Sequence, residues 1–336
     1  YAGIDEPRFE KDGLLIEGAS TNLLKYSNDT SQSSIWDGTV ESFFTTTYNS
    51  TDISSPDSST NSTKNVGLNT TNLWKRQLVT IAAGTYTASV WVYIPSGQGI
   101  TSFGIKIDLQ DSTNGSPMDT TVFDKWVRLA SLVTTPDSKS FIDFDIRTNG
   151  ADVGIAGLTF YSFGFQLEQL PFASSYIPTT TTAVTRSADV CSVTASNNIL
   201  PAQYNSSLIV DVTLNVVRTD SQNQVIIDLV DQAGRIYANE FSSGKFSFDY
   251  GNHTPFGTAN IANETRRYAS SCNGTTATYY QDGISQTTTT DLDRFIAVPT
   301  SIRLGSLSSG ASPLYGHIKN LRIFDKALSA VEVSLA

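Results

Sequence analysis

The acidic residues best placed to do chemistry lie in two stretches of alternating sequence. Asp108, Asp143 and Asp145 alternate with apolar residues in segments 103–109 and 142–147. Successive side chains of a strand point to opposite faces, so these acids share the face that points away from the core. Glycoside hydrolysis needs only two carboxylates at a suitable separation. Acids on the solvent face of an antiparallel sheet are usually just solvated, and we therefore predict no catalysis here.

Other catalytic constellations are missing from the sequence. It contains two histidines, His253 and His317, and has no Gly-x-Ser-x-Gly elbow, paired-histidine metal motif or glycine-rich phosphate loop. The two cysteines, Cys191 and Cys272, match no metal-ligand spacing and are predicted to be ordinary thiols. We predict that the chain is not an enzyme.

The alternating segments also predict a sugar-binding surface. Lys106 and Arg147 accompany the three aspartates, and in segment 85–94 Trp91 and Tyr93 alternate out of the apolar pattern. If these strands adjoin, aromatic rings that pack on the C–H face of a sugar lie beside charged groups that take up its hydroxyls. The alternative is that a loop or a neighbouring chain covers Trp91 and Tyr93.

Calcium is a candidate ligand of the first half of the chain. Asp29 and Glu168 bracket it at chain ends that we expect to converge, and calcium prefers hard oxygen ligands. The sequence contains no contiguous calcium loop. We therefore predict that no cofactor is required, with Asp29 and Glu168 as the metal ligands if calcium binds.

The elements that must position these residues are strands. Hydrophobic residues make up 39% of the 336, aromatics 10% and charged residues only 16%, as is typical of strands joined by polar turns. Helix-favouring residues do not recur at helical spacing over any long window. The length exceeds one comfortable core, so we predict an all-β protein with two β-sandwich (jelly-roll) domains in tandem.

A break in the alternating pattern indicates where the two domains join. Pro171, Pro178 and the threonine run 179–182 interrupt the strands. The predicted organisation is an N-terminal extended segment, a first domain, a linker and a second domain, at residues 1–22, 23–178, 179–198 and 199–336. In the second domain, Asp282-Gly283 predicts a tight hairpin.

The net charge of −10 restricts the partners. An acidic chain repels phosphate backbones and anionic lipid, because affinity for either comes mostly from cationic groups. No apolar run is long enough to span a bilayer. We predict neither nucleic acid binding nor membrane insertion.

The end of the chain carries an ordered series of short motifs. Segments 302–305 and 316–333 contain a strand ending in Leu-Gly, a Gly-x-Ile strand, then an aspartate, an Ala-Leu-Ser turn and a glutamate; the last positions are filled by Gly316, Ile318, Asp325, Leu328, Ser329 and Glu332. This series resembles the C-terminal part of laminin G and pentraxin-like lectin domains. Ser329 and Glu332 also have the spacing of a helix capping box.

The resemblance covers about residues 207–336 and implies that the second domain is a concanavalin A/laminin G-like jelly roll. Such domains bind ligands through loops at one sheet edge. It therefore implies a further sugar-binding cluster at Asp249, Tyr250, Asn252 and His253.

The first domain resembles the non-catalytic modules of bacteriophage tail fibres. This resemblance is carried by segments 13–29 (followed by Trp36), 55–64 and 166–190. In the family, the first segment opens a carbohydrate-binding-module-like jelly roll, the second lies within it and the third leaves it. The order of the two domains also resembles phage tail proteins.

These resemblances together imply a receptor-recognition region of a phage tail fibre or tailspike. It would be homotrimeric, would be assembled in the host cytoplasm, and would act in the extracellular virion by attaching it to a bacterial surface glycan such as capsule or lipopolysaccharide. Two alternatives stay open: a structural module that caps or trimerises the fibre, and a subdomain of a polysaccharide depolymerase.

Overall fold

The computed structural model describes the chain as nearly all-β. It covers residues 7–36, 43–58, 62–68, 73–109, 113–194, 205–218, 222–230, 235–240, 244–249, 253–290 and 300–336. The strands up to residue 186 are β1 (Phe9–Glu10), β2 (Gly13–Ile16), β3 (Ser20–Asn22), β4 (Phe44–Ser50), β5 (Ser62–Gly67), β6 (Leu73–Ile81), β7 (Gly84–Tyr93), β8 (Phe103–Leu109), β9 (Thr113–Asn114), β10 (Met118–Thr120), β11 (Trp126–Thr135), β12 (Lys139–Thr148), β13 (Thr159–Glu168) and β14 (Val184–Arg186).

The later elements complete the same pattern and end in one short helix. They are β15 (Cys191–Thr194), β16 (Asn205–Leu214), β17 (Gln224–Val230), β18 (Arg235–Glu240), β19 (Lys245–Asp249), β20 (His253–Phe256), β21 (Thr265–Asn273), β22 (Ala277–Gln281), β23 (Ile284–Thr289), β24 (Ser301–Leu304), β25 (Gly316–Phe324) and α1 (Ala330–Leu335). The predicted all-β class is confirmed. Among the described residues, no helix is long and apolar enough to cross a membrane.

The chain divides into two compact units. The first unit is Ser20–Arg186, and the second unit joins Tyr1–Ala19 to Ser187–Ala336. Strand β2, which the sequence places in an extended N-terminal segment, pairs with β25 of the second unit through Leu14 and Ile318.

Two larger antiparallel sheets form the body of the first unit, and β3 pairs with β14 in a separate two-stranded sheet. The charged sheet has the order β10-β8-β12-β6, with β9 beside β8, and the aromatic sheet has the order β11-β7-β13-β5-β4. Their apolar faces meet in one core, to which β7 and β13 contribute from the aromatic sheet and β8 and β12 from the charged sheet. Trp36 belongs to this core: its ring centroid lies 4.9 Å from that of Phe165, and its Nε1 donates to the Tyr26 carbonyl at 3.2 Å.

The second unit also has two sheets. Their orders are β1-β2-β25-β16-β21-β22-β23 and β15-β24-β17-β18-β19-β20. Alternate residues of β16, such as Val210 and Val212, pack on β17 and β19 between the two sheets. Phe246 and Tyr268 stack nearly parallel there, with ring centroids 3.7 Å apart. This is the sandwich that the sequence predicts.

The predicted hairpin and terminal helix are both confirmed. Asp282 and Gly283 join β22 to β23 with positive φ angles of 51° and 78°, as a tight hairpin turn requires. Ser329 caps α1 and forms the capping box with Glu332. Hydrogen bonds from Lys326 and Ser329 lower the pKa of Glu332 to about 2.

Candidate functional site

The charged side chains predicted to share one surface do so on the charged sheet. Asp143 lies directly opposite Asp108 on the neighbouring strand, and Asp145 lies opposite Lys106. Arg147 follows on the same strand two residues further along. Alternation within β8 and β12 therefore predicted this part of the surface, because the two strands are neighbours.

Ion pairs within the protein hold most of these charges. Arg76 grips Asp143 with two hydrogen bonds, each of 2.7 Å, and Lys106 Nζ lies 2.6 Å from an Asp152 carboxylate oxygen. Arg147 donates to Asp119 at 2.9 Å and also pairs with Asp152. Side chains bound to each other in this way are already positioned, and a ligand must compete with those pairs.

Asp145 is the most weakly held of the acids in this group that pair with a cation. Its nearest cation, Lys106 Nζ, is 3.5 Å away and bonds more closely to Asp152. Burial raises the pKa of Asp145 to about 6, Lys106 opposes this, and the neighbouring charges of Asp143 and Asp108 add to the rise. At neutral pH the unit therefore holds a buried carboxylate at a cost in stability.

Trp91 and Tyr93 do not join this surface, so the prediction of one shared surface is wrong. Both lie on β7, which pairs with β11 and β13 in the aromatic sheet rather than with β8 or β12. Because the two sheets of the first unit pack core face to core face, their outward faces lie on opposite sides of the unit. Alternation shows which face a residue occupies but not which strands adjoin.

Tyr93 instead belongs to a line of rings that crosses the aromatic sheet. Trp126 of β11 and Tyr161 of β13 flank Tyr93 in register, and we call these three residues the aromatic row. The Tyr93 centroid lies 5.8 Å from that of Trp126 and 6.0 Å from that of Tyr161, edge to face in both cases. Lys64 continues the line on β5, with Nζ 5.9 Å from the Tyr161 centroid.

The segment after β4 fixes the aromatic row from one side. Trp126 Nε1 donates to the Ser54 carbonyl at 2.6 Å, and Tyr161 Oη donates to Asp52 at 3.2 Å. Asp52 also accepts from Lys64 Nζ at 2.7 Å, and hydrogen bonds from Lys64 and Tyr161 lower its pKa. The rings are thus held in one arrangement, with a charged pair at one end.

Sequence reasoning missed Trp126, Tyr161 and Lys64. Each lies in a strand whose alternation is visible, but only the pairing of β11, β7, β13 and β5 lines them up with Tyr93. Trp126 and Tyr93 keep part of their surface exposed, whereas Tyr161 is buried.

Trp91 fits the alternative of a covered side chain better than that of a sugar platform. A Cβ atom on Gly164 would lie 3.4 Å from the Trp91 ring and 3.2 Å from the Tyr176 ring, so both rings lie close to this glycine. Trp91 Nε1 is buried and has no hydrogen-bond acceptor among the described residues. Trp91 is therefore not part of the aromatic row.

Asp29 and Glu168 are both occupied by hydrogen-bond donors of the protein. Asp29 accepts from the Ser31 amide at 3.1 Å and from Gln32 at 2.8 Å. Glu168 is fully buried and accepts from Ser20 Oγ at 2.5 Å and the Ser174 amide at 3.0 Å. Within the described ranges no three His, Cys, Asp or Glu side chains come together to hold a metal ion. Calcium binding at this pair stays a prediction.

The candidate cluster of the second domain lies partly outside the described residues, because Tyr250 and Asn252 are not among them. Asp249 ends β19 and His253 begins β20, and their backbones are paired. β19 and β20 are thus antiparallel neighbours at the edge of the six-stranded sheet.

Comparison with protein families decides the class of the C-terminal half. Residues 173–334 match the family described as the concanavalin A-like lectin/glucanases superfamily, Laminin_G_3. The second unit, which contains residues 187–334 of this match, has the concanavalin A-like fold. This agrees with the resemblance carried by 302–305 and 316–333. No curated protein matches the chain significantly.

Several solved structures share parts of this fold. Domain 4 of AbnA, a GH43 extracellular arabinanase from Geobacillus stearothermophilus, is 18% identical with a TM-score of 0.33; the match covers 40% of this chain and 66% of that one. The heptameric SAP-like pentraxin of Limulus polyphemus is 13% identical with a TM-score of 0.32, covering 40% and 70%. The CBM22-1-CBM22-2 tandem of Paenibacillus barcinonensis Xyn10C is 8% identical with a TM-score of 0.28, covering 85% and 91%. At these scores none carries an argument about what the present chain binds.

Proposed function

We propose that this chain is a non-catalytic glycan-binding protein and that its first unit binds sugar on the aromatic row. The observation that carries the proposal is the line of Trp126, Tyr93 and Tyr161 across three adjacent strands, with the Lys64–Asp52 pair at its end. Aromatic rings pack on the C–H face of a sugar, and charged groups bind its hydroxyls. The concanavalin A-like fold of the second unit, a lectin and glucanase fold, is compatible with this function.

The glycan that we propose is a bacterial surface polysaccharide, bound by a homotrimeric phage tail fibre or tailspike. This finer proposal is supported by the resemblance of segments 13–29, 55–64 and 166–190 to phage tail modules, and by the order of the two domains. It places the chain in the extracellular virion after assembly in the host cytoplasm. Light scattering on the purified chain tests the trimer.

Replacement of Trp126 and Tyr93 by alanine tests the sugar site. We expect each variant to lose about tenfold in affinity for a bound polysaccharide on an array of bacterial surface glycans, because about 1.4 kcal/mol of stacking is removed. Leu132→Ala is the matched control, since Leu132 is 41% exposed on the same face of β11 but outside the row. Equal binding by the wild type and the Trp126→Ala/Tyr93→Ala double variant, both folded by circular dichroism, would refute the site.

One observation favours the depolymerase alternative. Asp145 has a pKa near 6 and lies on the same strand as Asp143, which is bound to Arg76, and a glycosidase pairs a protonated acid with a carboxylate. The two hydrogen bonds from Arg76 to Asp143 argue against a depolymerase, because they already occupy the carboxylate that would have to act on the sugar. When the chain is incubated with a polysaccharide that it binds, we expect no reducing ends to be released. If the wild type releases reducing ends and Asp145→Asn does not, the depolymerase alternative is favoured. A fibre-capping module, in contrast, would bind no glycan at all.

A further inference from the structure

A polar cleft lies on the seven-stranded sheet of the second unit, on the face that carries α1. It has a volume of about 330 Å³, within the range of small-ligand sites. Its lining is Asp211, Thr265, Arg267, Asp282, Gly283 and Ser334. The core of this unit lies on the opposite face of the sheet, beneath Val210 and Val212. None of the residues that the sequence singled out for binding lines this cleft.

Two carboxylates form fixed walls of the cleft. Asp211 accepts from Arg267 at 2.7 and 3.2 Å and from Asn320 at 2.8 Å. Burial alone would raise the pKa of Asp211, but these hydrogen bonds outweigh it and lower the pKa, so the carboxylate stays ionised. Asp282 accepts from the Arg267 amide at 3.0 Å and from Arg266 at 2.9 Å.

The pairing of charges leaves acceptors but no unpaired charge for a ligand. Asp211 is matched by Arg267 and Asp282 by Arg266, so an anion or a cation would disturb an existing pair. Asp211 Oδ1 and the two Asp282 oxygens each accept one hydrogen bond and keep a second lone pair, whereas Asp211 Oδ2 accepts from both Arg267 and Asn320. Ser334 Oγ, which donates to the Val331 carbonyl, keeps its lone pairs as well. These groups suit the hydroxyl donors of a neutral ligand.

Three exposed apolar side chains lie next to cleft residues along the chain, on β23 and on α1, and these two elements contact each other. Ile284 follows Gly283 and is 67% exposed, while Val331 and Leu335, three residues before and one after Ser334, are 66% and 81% exposed. Large apolar side chains grouped next to polar ones indicate an interaction site rather than ordinary surface. A ligand that fills the cleft with hydroxyls can thus place an apolar substituent on this rim.

We propose that the cleft is a second sugar site, which takes a neutral sugar residue carrying an acetamido or deoxy-methyl substituent. The carboxylates and Ser334 bind the hydroxyls, and the methyl group packs on Ile284, Val331 or Leu335. Every residue of this site lies in the second unit, so the inference does not depend on the aromatic row. A chain with one site in each unit gains avidity for a polymer that reaches both.

Saturation-transfer difference NMR on the full chain tests the proposal, with free N-acetylglucosamine and glucose as probes. We expect the acetamido methyl protons to receive the strongest saturation and glucose to receive much less. Ser334→Gln should remove the signal by filling the cleft, and Asp282→Asn should weaken it while keeping an Asx-Gly turn. Ser308→Gln, at an exposed serine in a loop of the same unit, is the matched control.

Three outcomes would overturn the inference. Absence of saturation of N-acetylglucosamine removes the site, and equal saturation of both probes removes the role of the apolar rim. A signal that survives Ser334→Gln shows that the sugar binds elsewhere. Trp126→Ala is the variant that separates the two proposals, because it should reduce polysaccharide binding at the aromatic row and leave the cleft signal unchanged.

Discussion

Replacement of Asp145 by asparagine should stabilise the protein at neutral pH, although it removes a partner of Lys106. Lys106 keeps its closer bond to Asp152 at 2.6 Å, so the pair that is lost is the weaker one, at 3.5 Å. What the variant gains is the removal of a buried charge that Asp143 and Asp108 repel. We expect a gain of about 1–3 kcal/mol in the free energy of unfolding, since one unit of pKa shift corresponds to about 1.4 kcal/mol.

The pH dependence of the stability shows in which direction Asp145→Asn changes it. The pKa of Asp145 rises from 3.8 to about 6 on folding, so the folded state binds the proton more tightly than the unfolded state. The stabilisation due to that proton is fully present below about pH 4 and is lost as the pH rises through 6. The difference between Asp145→Asn and the wild type should therefore grow between pH 4 and 6 and stay constant above.

Asp143→Asn is the matched control, two residues away on the same strand. It breaks a two-bond pair with Arg76, whose guanidinium lies 3.8 Å from the Phe141 centroid, and should cost about 3 kcal/mol. Thermal melts of both variants from pH 4 to 8 check the prediction. A loss of stability in Asp145→Asn at pH 7.5 would show that the carboxylate is well bound and would contradict it.

Loss of the Glu168 side chain should be the most damaging substitution in the first unit. Glu168→Ala leaves the hydroxyl of Ser20 and the amide and hydroxyl of Ser174 without their acceptor in a fully buried place. We expect a cost on the order of 3–5 kcal/mol, from unsatisfied donors and a cavity together. Urea unfolding measures it. Glu168→Gln, which keeps one acceptor oxygen, should cost less than half as much.

The melting temperature measured with and without a chelator distinguishes this structural role of Glu168 from calcium binding. If Glu168 acts through its hydrogen bonds alone, a chelator leaves the melting temperature of the wild type unchanged. A melting temperature that falls with chelator and recovers with calcium would support Asp29 and Glu168 as metal ligands instead. Glu264→Ala serves as the control, because Glu264 pairs only at the surface with Arg266 and should change stability by less than about 0.5 kcal/mol.

Alternation and local motifs predicted what depends on neighbours in sequence. The buried faces of β8 and β12 follow from a period of two, and the turn at Asp282-Gly283 and the cap at Ser329 follow from the conformations and hydrogen bonds that those residues favour. The domain class followed from a motif at residues 316–333. These parts of the fold are encoded over a few residues each.

The sequence could not predict which strands pair with each other, and the candidate site depends on that pairing. Trp126 and Lys64 are 62 residues apart and occupy different strands, yet they lie in one line because β7 and β13 pair between them. A half-buried strand carries the same pattern whichever neighbour it pairs with. The error over Trp91 and Tyr93 and the missed aromatic row have this single cause.

Two of the segments that resemble phage modules, 13–29 and 166–190, hold the first unit together rather than line its aromatic row. Asn22 Nδ2 donates to the Ile177 carbonyl at 2.9 Å, Tyr176 Oη donates to Asn28 at 2.8 Å, and Ser20 reaches Glu168. The two ends of the unit are thereby tied by side chains drawn from segments 13–29 and 166–190. The three rings of the aromatic row take no part in these hydrogen bonds. Substitution of the exposed Trp126 and Tyr93 rings should therefore leave the fold of the unit intact.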